Sequence, residues 1–73
     1  MTNKQKELAS LLDGFHHARW VGTHVLADRL ATRESNVRRA IQALAKKAIV
    51  TIKEEDDIAW TRLTPVGRQQ VRA

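Results

Sequence analysis

Apolar side chains recur in the first part of the chain with the spacing of an α-helix. Those that fall on one helical face are Leu8, Leu11, Leu12 and Phe15. A one-sided apolar pattern is typical of a helix packed on a core, and it predicts a helix over about 3–16. Thr2 or Asn3 is placed to accept a hydrogen bond from the first turn as its N-cap.

A second, shorter helix is predicted near 24–30. Its inward face consists of Val25, Leu26 and Leu30. Thr23 precedes this face and is expected to cap the helix. Between the two helices, Trp20 and Val21 leave room only for a bridge or one minor strand.

The third helical segment, over about 33–47, is the most strongly two-sided part of the chain. Its apolar positions are Val37, Ala40, Ile41, Leu44 and Ala48. Its opposite side carries Ser35, Arg38, Arg39, Gln42 and Lys46. With Thr32 as the expected cap, the connection from the second helix has the short length of a helix-turn-helix. The aliphatic side can hold such a helix rigidly while the basic and amide-bearing side faces a polyanion.

After Lys47, β-branched residues replace the helical pattern. The predicted hairpin has a strand over 49–52, a turn over 54–57 and a returning strand over 58–63. Thr64 and Pro65 then mark the start of a short closing helix over about 65–72, because proline suits the first helical position.

Length and composition limit the function. The chain has 73 residues and no cysteine, so we expect one domain over 1–73 without disulfides or a thiolate zinc site. The chain has no apolar run near the roughly 20 residues of a membrane helix, and its polar start is not expected to be a signal peptide. We therefore expect a cytoplasmic protein without membrane contact, nucleoid-associated if bacterial. A chain this small, with no recognisable nucleophile and base or phosphate loop, is not expected to be an enzyme.

The charge distribution indicates a nucleic-acid partner. The net charge is +5, and the pI near 10.5 lies in the range typical of nucleic-acid-binding domains. Residues 33–47 hold five basic residues and one acidic residue, whereas 54–57 is an unbroken run of four acids. The more ordinary role of that run is a solvated loop that protects a sheet edge.

The predicted order of helix, short strand, two helices, two-stranded wing and closing helix is that of a winged helix-turn-helix, and the residues resemble this family too. The stretch LADRLATRESNVRRAIQALAKKAIV is similar to its pattern, with Leu30 before the turn and Val37 as a buried aliphatic residue. LTPVGR at 63–68 resembles the segment after the wing in MarR- and PadR-type regulators. The resemblance covers about 23–68. It implies a mainly α fold with a small β-hairpin: a three-helix core, a two-stranded wing and a short C-terminal helix.

Two features depart from the family's pattern. Ala48 stands where a glycine commonly follows the recognition helix, so we expect the turn into Ile49 to need no positive φ. The wing tip at 54–57 is acidic, whereas it is often basic in DNA-binding members. We therefore do not expect the tip to grip phosphate.

The third helix carries the candidate base contacts. In the major groove, arginine can bond guanine bidentately, and asparagine or glutamine can bond adenine. The predicted base-contacting residues are Arg33, Ser35, Asn36, Arg38, Arg39 and Gln42. The alternative is that they form only the solvated face of an amphipathic helix.

The candidate phosphate contacts position a protein on DNA without reading sequence. They are Arg19, Thr23, His24, Lys46, Lys47, Lys53 and Arg62. Thr23 and His24 enter through their backbone N–H groups, because helix N-termini attract anions. Ordinary capping also explains Thr23, and ordinary surface charge also explains each basic residue. Trp20 and Trp60 could stack on bases, but we expect core packing because large side chains are few.

We predict no metal and no cofactor. The histidines are His16, His17 and His24, and no cysteine or paired carboxylate stands near them at ligand spacing.

The sequence thus predicts a sequence-specific double-stranded DNA-binding protein, a small transcriptional or replication regulator that inserts 33–47 into the major groove. One copy reaches few base pairs, so we expect a homodimer. The alternative is a protein-interaction module of the same fold. It would dock a basic partner on Glu54, Glu55, Asp56 and Asp57.

Overall fold

The computed structural model describes residues 1–15 and 19–73. Its elements are α1 (Asn3–Gly14), β1 (Val21–Gly22), α2 (Thr23–Arg29), α3 (Glu34–Lys46), β2 (Val50–Glu55), β3 (Ile58–Leu63) and α4 (Pro65–Arg72). This order confirms the predicted winged helix-turn-helix, with β2 and β3 as the wing. Within the two described ranges, no helix combines the length and apolar character needed to cross a membrane.

The core lies between the three N-terminal helices and the inner side of the sheet. Its largest fully buried side chains are Leu8, Leu26, Leu44, Ile49, Val37 and Thr61. The apolar stripe predicted for the third helix is confirmed at Val37, Ile41 and Leu44, whereas Ala48 is exposed. The tryptophans expected in the core are not part of it. Trp20 and Trp60 are only half-buried, because both stand on the side of the sheet that turns away from the helices.

A capping box starts α1 at Thr2, one of the two predicted caps. The Thr2 hydroxyl accepts a hydrogen bond from the Gln5 backbone N–H, and Gln5 Oε1 accepts one from the Thr2 backbone N–H, each at 3.2 Å. The helix ends at Gly14. The predicted end at 16 lies outside the described residues.

The predicted caps of α2 and α3 are wrong, because both threonine hydroxyls have other partners. α2 begins at Thr23 itself, whose buried hydroxyl donates to the backbone oxygen of Ala59 at 3.0 Å. The N-cap of α3 is Arg33 rather than Thr32, and it makes no side-chain cap bond. The Thr32 hydroxyl instead accepts a hydrogen bond from Asn36 Nδ2 at 3.2 Å.

Both α2 and α3 end in a Schellman motif with alanine in the left-handed position. In α3, the Ile49 N–H donates to the Leu44 oxygen and the Ala48 N–H to the Ala45 oxygen, each at 3.0 Å. The φ of Ala48 is 59°, so the expectation that this turn avoids positive φ is wrong. The two hydrogen bonds form together only when the backbone turns left-handed. Ala31 has the same conformation after α2, with φ 52°.

The strands form one antiparallel sheet in the order β1–β3–β2. The predicted hairpin is confirmed, but its turn is shorter than 54–57. Asp56 and Asp57 alone make the turn, with φ of 54° and 62°, as a type I′ hairpin requires. Glu54 and Glu55 continue β2 and pair with β3. β1, at the position of the expected minor strand, also pairs with β3 and so joins the two-stranded wing in one sheet.

The start of α4 is joined to the residues that close α3. Thr64 is the N-cap and Pro65 the first helical residue, as predicted. The Thr64 hydroxyl accepts a hydrogen bond from the Gly67 N–H at 2.9 Å. It also donates toward the backbone oxygens of Ala48 at 2.6 Å and Ile49 at 3.0 Å. Gly67 packs directly on this junction, since a Cβ there would overlap the Ile49 carbonyl.

Candidate nucleic-acid interface

The recognition-helix candidate, α3, is anchored on one side and open on the other. Val37, Ile41 and Leu44 are buried, and α1 and α2 both pack against the helix. The predicted base-contacting residues are all exposed: Arg33, Ser35, Asn36, Arg38, Arg39 and Gln42. Side chains that could meet base edges therefore extend from a backbone that the core holds in place.

Four of these six residues lie on the same face of α3. Ser35, Arg38, Arg39 and Gln42 are separated by three or four positions, which places them on one helical face. Arg33 stands just before the helix as its N-cap. Arg38 forms an ion pair with Glu34 at 3.7 Å, and both side chains are about half exposed. An ion pair at such exposure is weak, so Arg38 can exchange Glu34 for another acceptor at small cost.

A cleft of about 220 Å³ separates α3 from the wing. Arg38 and Gln42 line it from the helix, and Ile52, Glu54 and Thr61 line it from the sheet. Among the described residues, the buried Thr61 hydroxyl has no hydrogen-bond partner. The acidic side chain of Glu54 thus stands on the same cleft as two of the base-contact candidates.

The predicted phosphate contacts of the wing lie on the other side of the sheet. Alternate residues of a strand face opposite sides, and directly paired residues face the same side. Lys53 pairs with Trp60, and Arg62 pairs with Thr51, so these four share one side. Because Ile52 and Thr61 line the α3 cleft, Lys53 and Arg62 turn away from α3. We call this side, with Trp20, Lys53, Trp60 and Arg62, the outer sheet face.

Trp20 connects the two cations of the outer sheet face. Lys53 Nζ lies 4.7 Å and Arg62 Cζ lies 4.6 Å from the centroid of its ring. Both distances are within cation–π range. Sequence reasoning missed this role, since it assigned Trp20 to the core. The pairing of β1 with β3, which brings Trp20 beside the wing, is a long-range contact with no local signal.

The remaining phosphate-contact candidates lie apart from one another. Lys46 is exposed in the last turn of α3, and Lys47 Nζ donates to Gln5 Oε1 of α1 at 3.3 Å. His24 and Arg19 are exposed. At Thr23 the side chain is buried and engaged, which leaves only its backbone N–H for the predicted role. The structure therefore gathers the base-contact candidates on one helix and distributes the phosphate-contact candidates over several surfaces.

In the described ranges, no three His, Cys, Asp or Glu side chains cluster in a way that could hold a metal ion. His16 and His17, which entered the metal argument, lie outside the described residues.

No protein-family model matches the chain, and no curated protein matches its sequence. Solved structures do match. The adhesin competence repressor AdcR from Streptococcus pyogenes has 20% identity and a TM-score of 0.81 over 99% of this chain and 53% of its own. YusO from Bacillus subtilis has 16% identity and a TM-score of 0.87; the match covers 99% of this chain and 51% of YusO. A mutant of MarR from E. coli has 17% identity and a TM-score of 0.85; the match covers 99% of this chain and 53% of MarR.

The chain thus spans about half the length of the solved structures that it matches. At these identities the likeness concerns the fold. It confirms the resemblance drawn from the sequence: the chain has the winged helix-turn-helix fold of MarR-family regulators.

Proposed function

We propose that this chain binds double-stranded DNA in a sequence-specific manner, with α3 in the major groove, and that it regulates transcription or replication. The observation that carries the proposal is the arrangement of α3. Its aliphatic side is fixed in the core, and all six candidate base-contacting side chains are exposed. An α-helix fits the major groove, and arginine, asparagine and glutamine are suited to read base edges there.

The named functions of similar structures support this role. AdcR is described as a repressor, and PcaV from Streptomyces coelicolor as a transcriptional regulator. The structure of BpsR from Bordetella bronchiseptica is described in terms of the regulation of DNA binding. A regulator of this kind needs no catalytic residues, in agreement with the expectation that the chain is not an enzyme.

Each side chain of the exposed face has a role that follows from its chemistry. Arg38 and Arg39 are proposed to bond guanine O6 and N7, while Gln42 and Asn36 are suited to adenine. Lys46 contacts the phosphate backbone at the end of the helix and so contributes affinity rather than sequence preference.

Salt dependence tests the interface as a whole. If about four to six phosphates are neutralised, a plot of log affinity against log salt has a slope of about −4 to −5. Fluorescence anisotropy of a labelled duplex, titrated at five salt concentrations, gives this slope. A slope near zero with measurable binding contradicts a phosphate-contacting interface.

Sequence preference tests the assignment of α3. We first select bound sequences from random duplex DNA at two salt concentrations. Arg38→Ala and Gln42→Ala are then each expected to lose about 1–3 kcal/mol on the selected site and far less on unrelated DNA. Lys46→Ala is the matched control, because loss of a phosphate contact weakens binding to both DNAs equally. Equal losses on both DNAs for Arg38→Ala and Gln42→Ala contradict base reading by α3.

A homodimer, or neighbouring bound copies, is part of the proposal. One α3 spans few base pairs, and two copies on a repeated half-site reach the specificity that regulation needs. The exposed sides of α1 and α4 are the proposed surfaces. Light scattering of the protein, free and bound to its selected site, is expected to show two copies on DNA. One copy in both states refutes this part.

The second candidate is a protein-interaction module, and the exposed acidic wing tip favours it. Glu54, Glu55, Asp56 and Asp57 are all exposed, and Glu55 pairs with Lys53 at 3.3 Å. Replacement of all four acids by lysine separates the two functions. The DNA-binding role predicts unchanged or tighter DNA binding. The interaction role predicts loss of binding to basic peptides, tested with poly-lysine on immobilised protein.

A further inference from the structure

We propose that Trp20 positions Lys53 and Arg62 so that the outer sheet face forms a second contact for the phosphate backbone of duplex DNA, separate from α3. This inference rests on the proposed DNA binding and adds a surface to it. Trp20 is a positioning residue in this proposal, and the two cations make the contact.

The geometry of Trp20 shows how the two cations are held. Lys53 Nζ and Arg62 Cζ lie 4.7 Å and 4.6 Å from the centre of the same ring, although they belong to different strands. Trp20 itself is half-buried and directly precedes β1, whose pairing with β3 fixes where it stands. Long basic side chains lose much rotamer freedom when they bind a ligand. Contact with the ring restrains both before any ligand arrives.

The charges at this site favour an anionic occupant. Two like charges beside one ring repel each other, and a bound phosphate relieves that repulsion. Among the described residues, the acid in contact with these cations is Glu55, which pairs with Lys53 at 3.3 Å. That pair is exposed and therefore weak enough for a phosphate to replace it.

The contact favours phosphate over stacked bases. Proteins that stack bases on tryptophan offer an uncovered ring face. Here cations already lie against the Trp20 ring. The available binding groups are therefore the ammonium and the guanidinium, and their natural ligand in DNA is the backbone.

The outer sheet face points away from α3, so the proposed phosphate contact is separate from the α3 surface. The cleft between α3 and the wing is lined by the opposite side of the same strands, through Ile52, Glu54 and Thr61. A duplex that lies on α3 meets Arg38 and Gln42. A backbone held by Lys53 and Arg62 lies on the far side of the wing. The proposed occupant is the DNA that flanks the α3 site on the same duplex.

The first test measures salt slopes on a long duplex containing the selected site. The double variant Lys53→Gln, Arg62→Gln is expected to make the slope less steep by about 2, because two phosphate contacts are lost. Arg29→Gln is the control. It removes an exposed positive charge from α2, outside every proposed contact, and is expected to leave the slope unchanged. A slope unchanged in the first variant, or changed equally in the second, overturns the inference.

The second test separates positioning from charge. Trp20→Leu keeps both cations but releases them, so affinity is expected to fall about five- to tenfold with little change in slope. Trp20→Phe keeps an aromatic face and is expected to recover part of the loss. If Trp20→Leu binds as tightly as the wild type, Trp20 is not a positioning residue. Circular dichroism melts check that each variant folds.

A third measurement keeps Trp20 in place. The chain has two tryptophans, so in Trp60→Phe the emission comes from Trp20 alone. Addition of duplex DNA is expected to change this emission, and the change should disappear when Lys53→Gln and Arg62→Gln are added. No change in the Trp60→Phe protein at saturating DNA overturns the contact. If wild-type protein binds no duplex at all, the proposed function fails; if it binds and only these changes are absent, this inference alone fails.

Discussion

Gly67 provides the sharpest test of how α4 packs, because sequence and structure predict opposite effects of the same substitution. Gly67 is the third residue of α4. From helix propensity alone, Gly67→Ala should stabilise the protein by up to about 1 kcal/mol. In the structure, a Cβ at this position would overlap the Ile49 carbonyl oxygen and lie 2.8 Å from Ile49 Cγ2. Backbone cannot move aside as a flexible side chain can.

The magnitude follows from these two opposing terms. Overpacking of this kind costs about 1–3 kcal/mol, and the gain in propensity offsets about 1 kcal/mol of it. We therefore expect Gly67→Ala to lower the free energy of unfolding by up to about 2 kcal/mol. For a domain of this size, each 1 kcal/mol lowers the Tm by about 4–8 °C.

Gly14 supplies the matched control. It ends α1, and a Cβ there would meet nothing within 4 Å. Gly14→Ala is therefore expected to leave stability unchanged or to raise it by up to about 1 kcal/mol. Urea unfolding followed by circular dichroism measures both variants. If Gly67→Ala stabilises the protein as much as Gly14→Ala does, α4 does not pack on the Ile49 backbone as described.

Three further substitutions test local backbone features. Ala48→Gly is expected to raise the free energy of unfolding by about 0.5–1 kcal/mol. Left-handed φ costs alanine about 1–2 kcal/mol, whereas glycine pays only its larger chain entropy. A lower free energy of unfolding in urea would contradict the Schellman geometry. Thr64→Ala is expected to cost about 1–2 kcal/mol, with Thr64→Ser much less, since the cap hydroxyl is lost only in the first; equal melting temperatures for the two variants would exclude the cap. Asp57→Gly creates the Asp-Gly pair favoured in type I′ turns and is expected to slow hydrogen exchange of the β2 and β3 amides, whereas faster exchange would contradict a two-residue turn.

The order of the elements and the orientation of α3 could be predicted from the sequence because both depend on local patterns. The spacing of Val37, Ile41 and Leu44 defines an inner side, and the remaining positions then lie outside. Thr64 and Pro65 identify the start of α4 for the same reason. The helical spacing of these buried residues therefore predicts that the candidate base contacts are exposed.

The errors arose where a side chain has a partner distant in sequence. Thr23 has the chemistry of a cap, but its hydroxyl bonds to Ala59, 36 residues away. Trp20 has the size of a core residue, but strand pairing places it beside Lys53 and Arg62. Neither contact can be predicted from local sequence propensity, because the partners are far apart in the sequence. The left-handed turn at Ala48 was missed differently, because alanine there satisfies a geometry that usually selects glycine.

The junction between α4 and α3 has a mechanical consequence. Thr64 bonds two consecutive carbonyls behind α3, and Gly67 lets the helix backbone rest on Ile49 without an intervening side chain. At its other end, α4 is tied to α1 by the ion pair of Arg72 and Asp13 at 3.3 Å. A tilt of α4 would therefore be transmitted to the final turn of α3 by direct backbone contacts, without flexible side chains between them. Torque applied to α4 would therefore reorient α3 together with its exposed arginines.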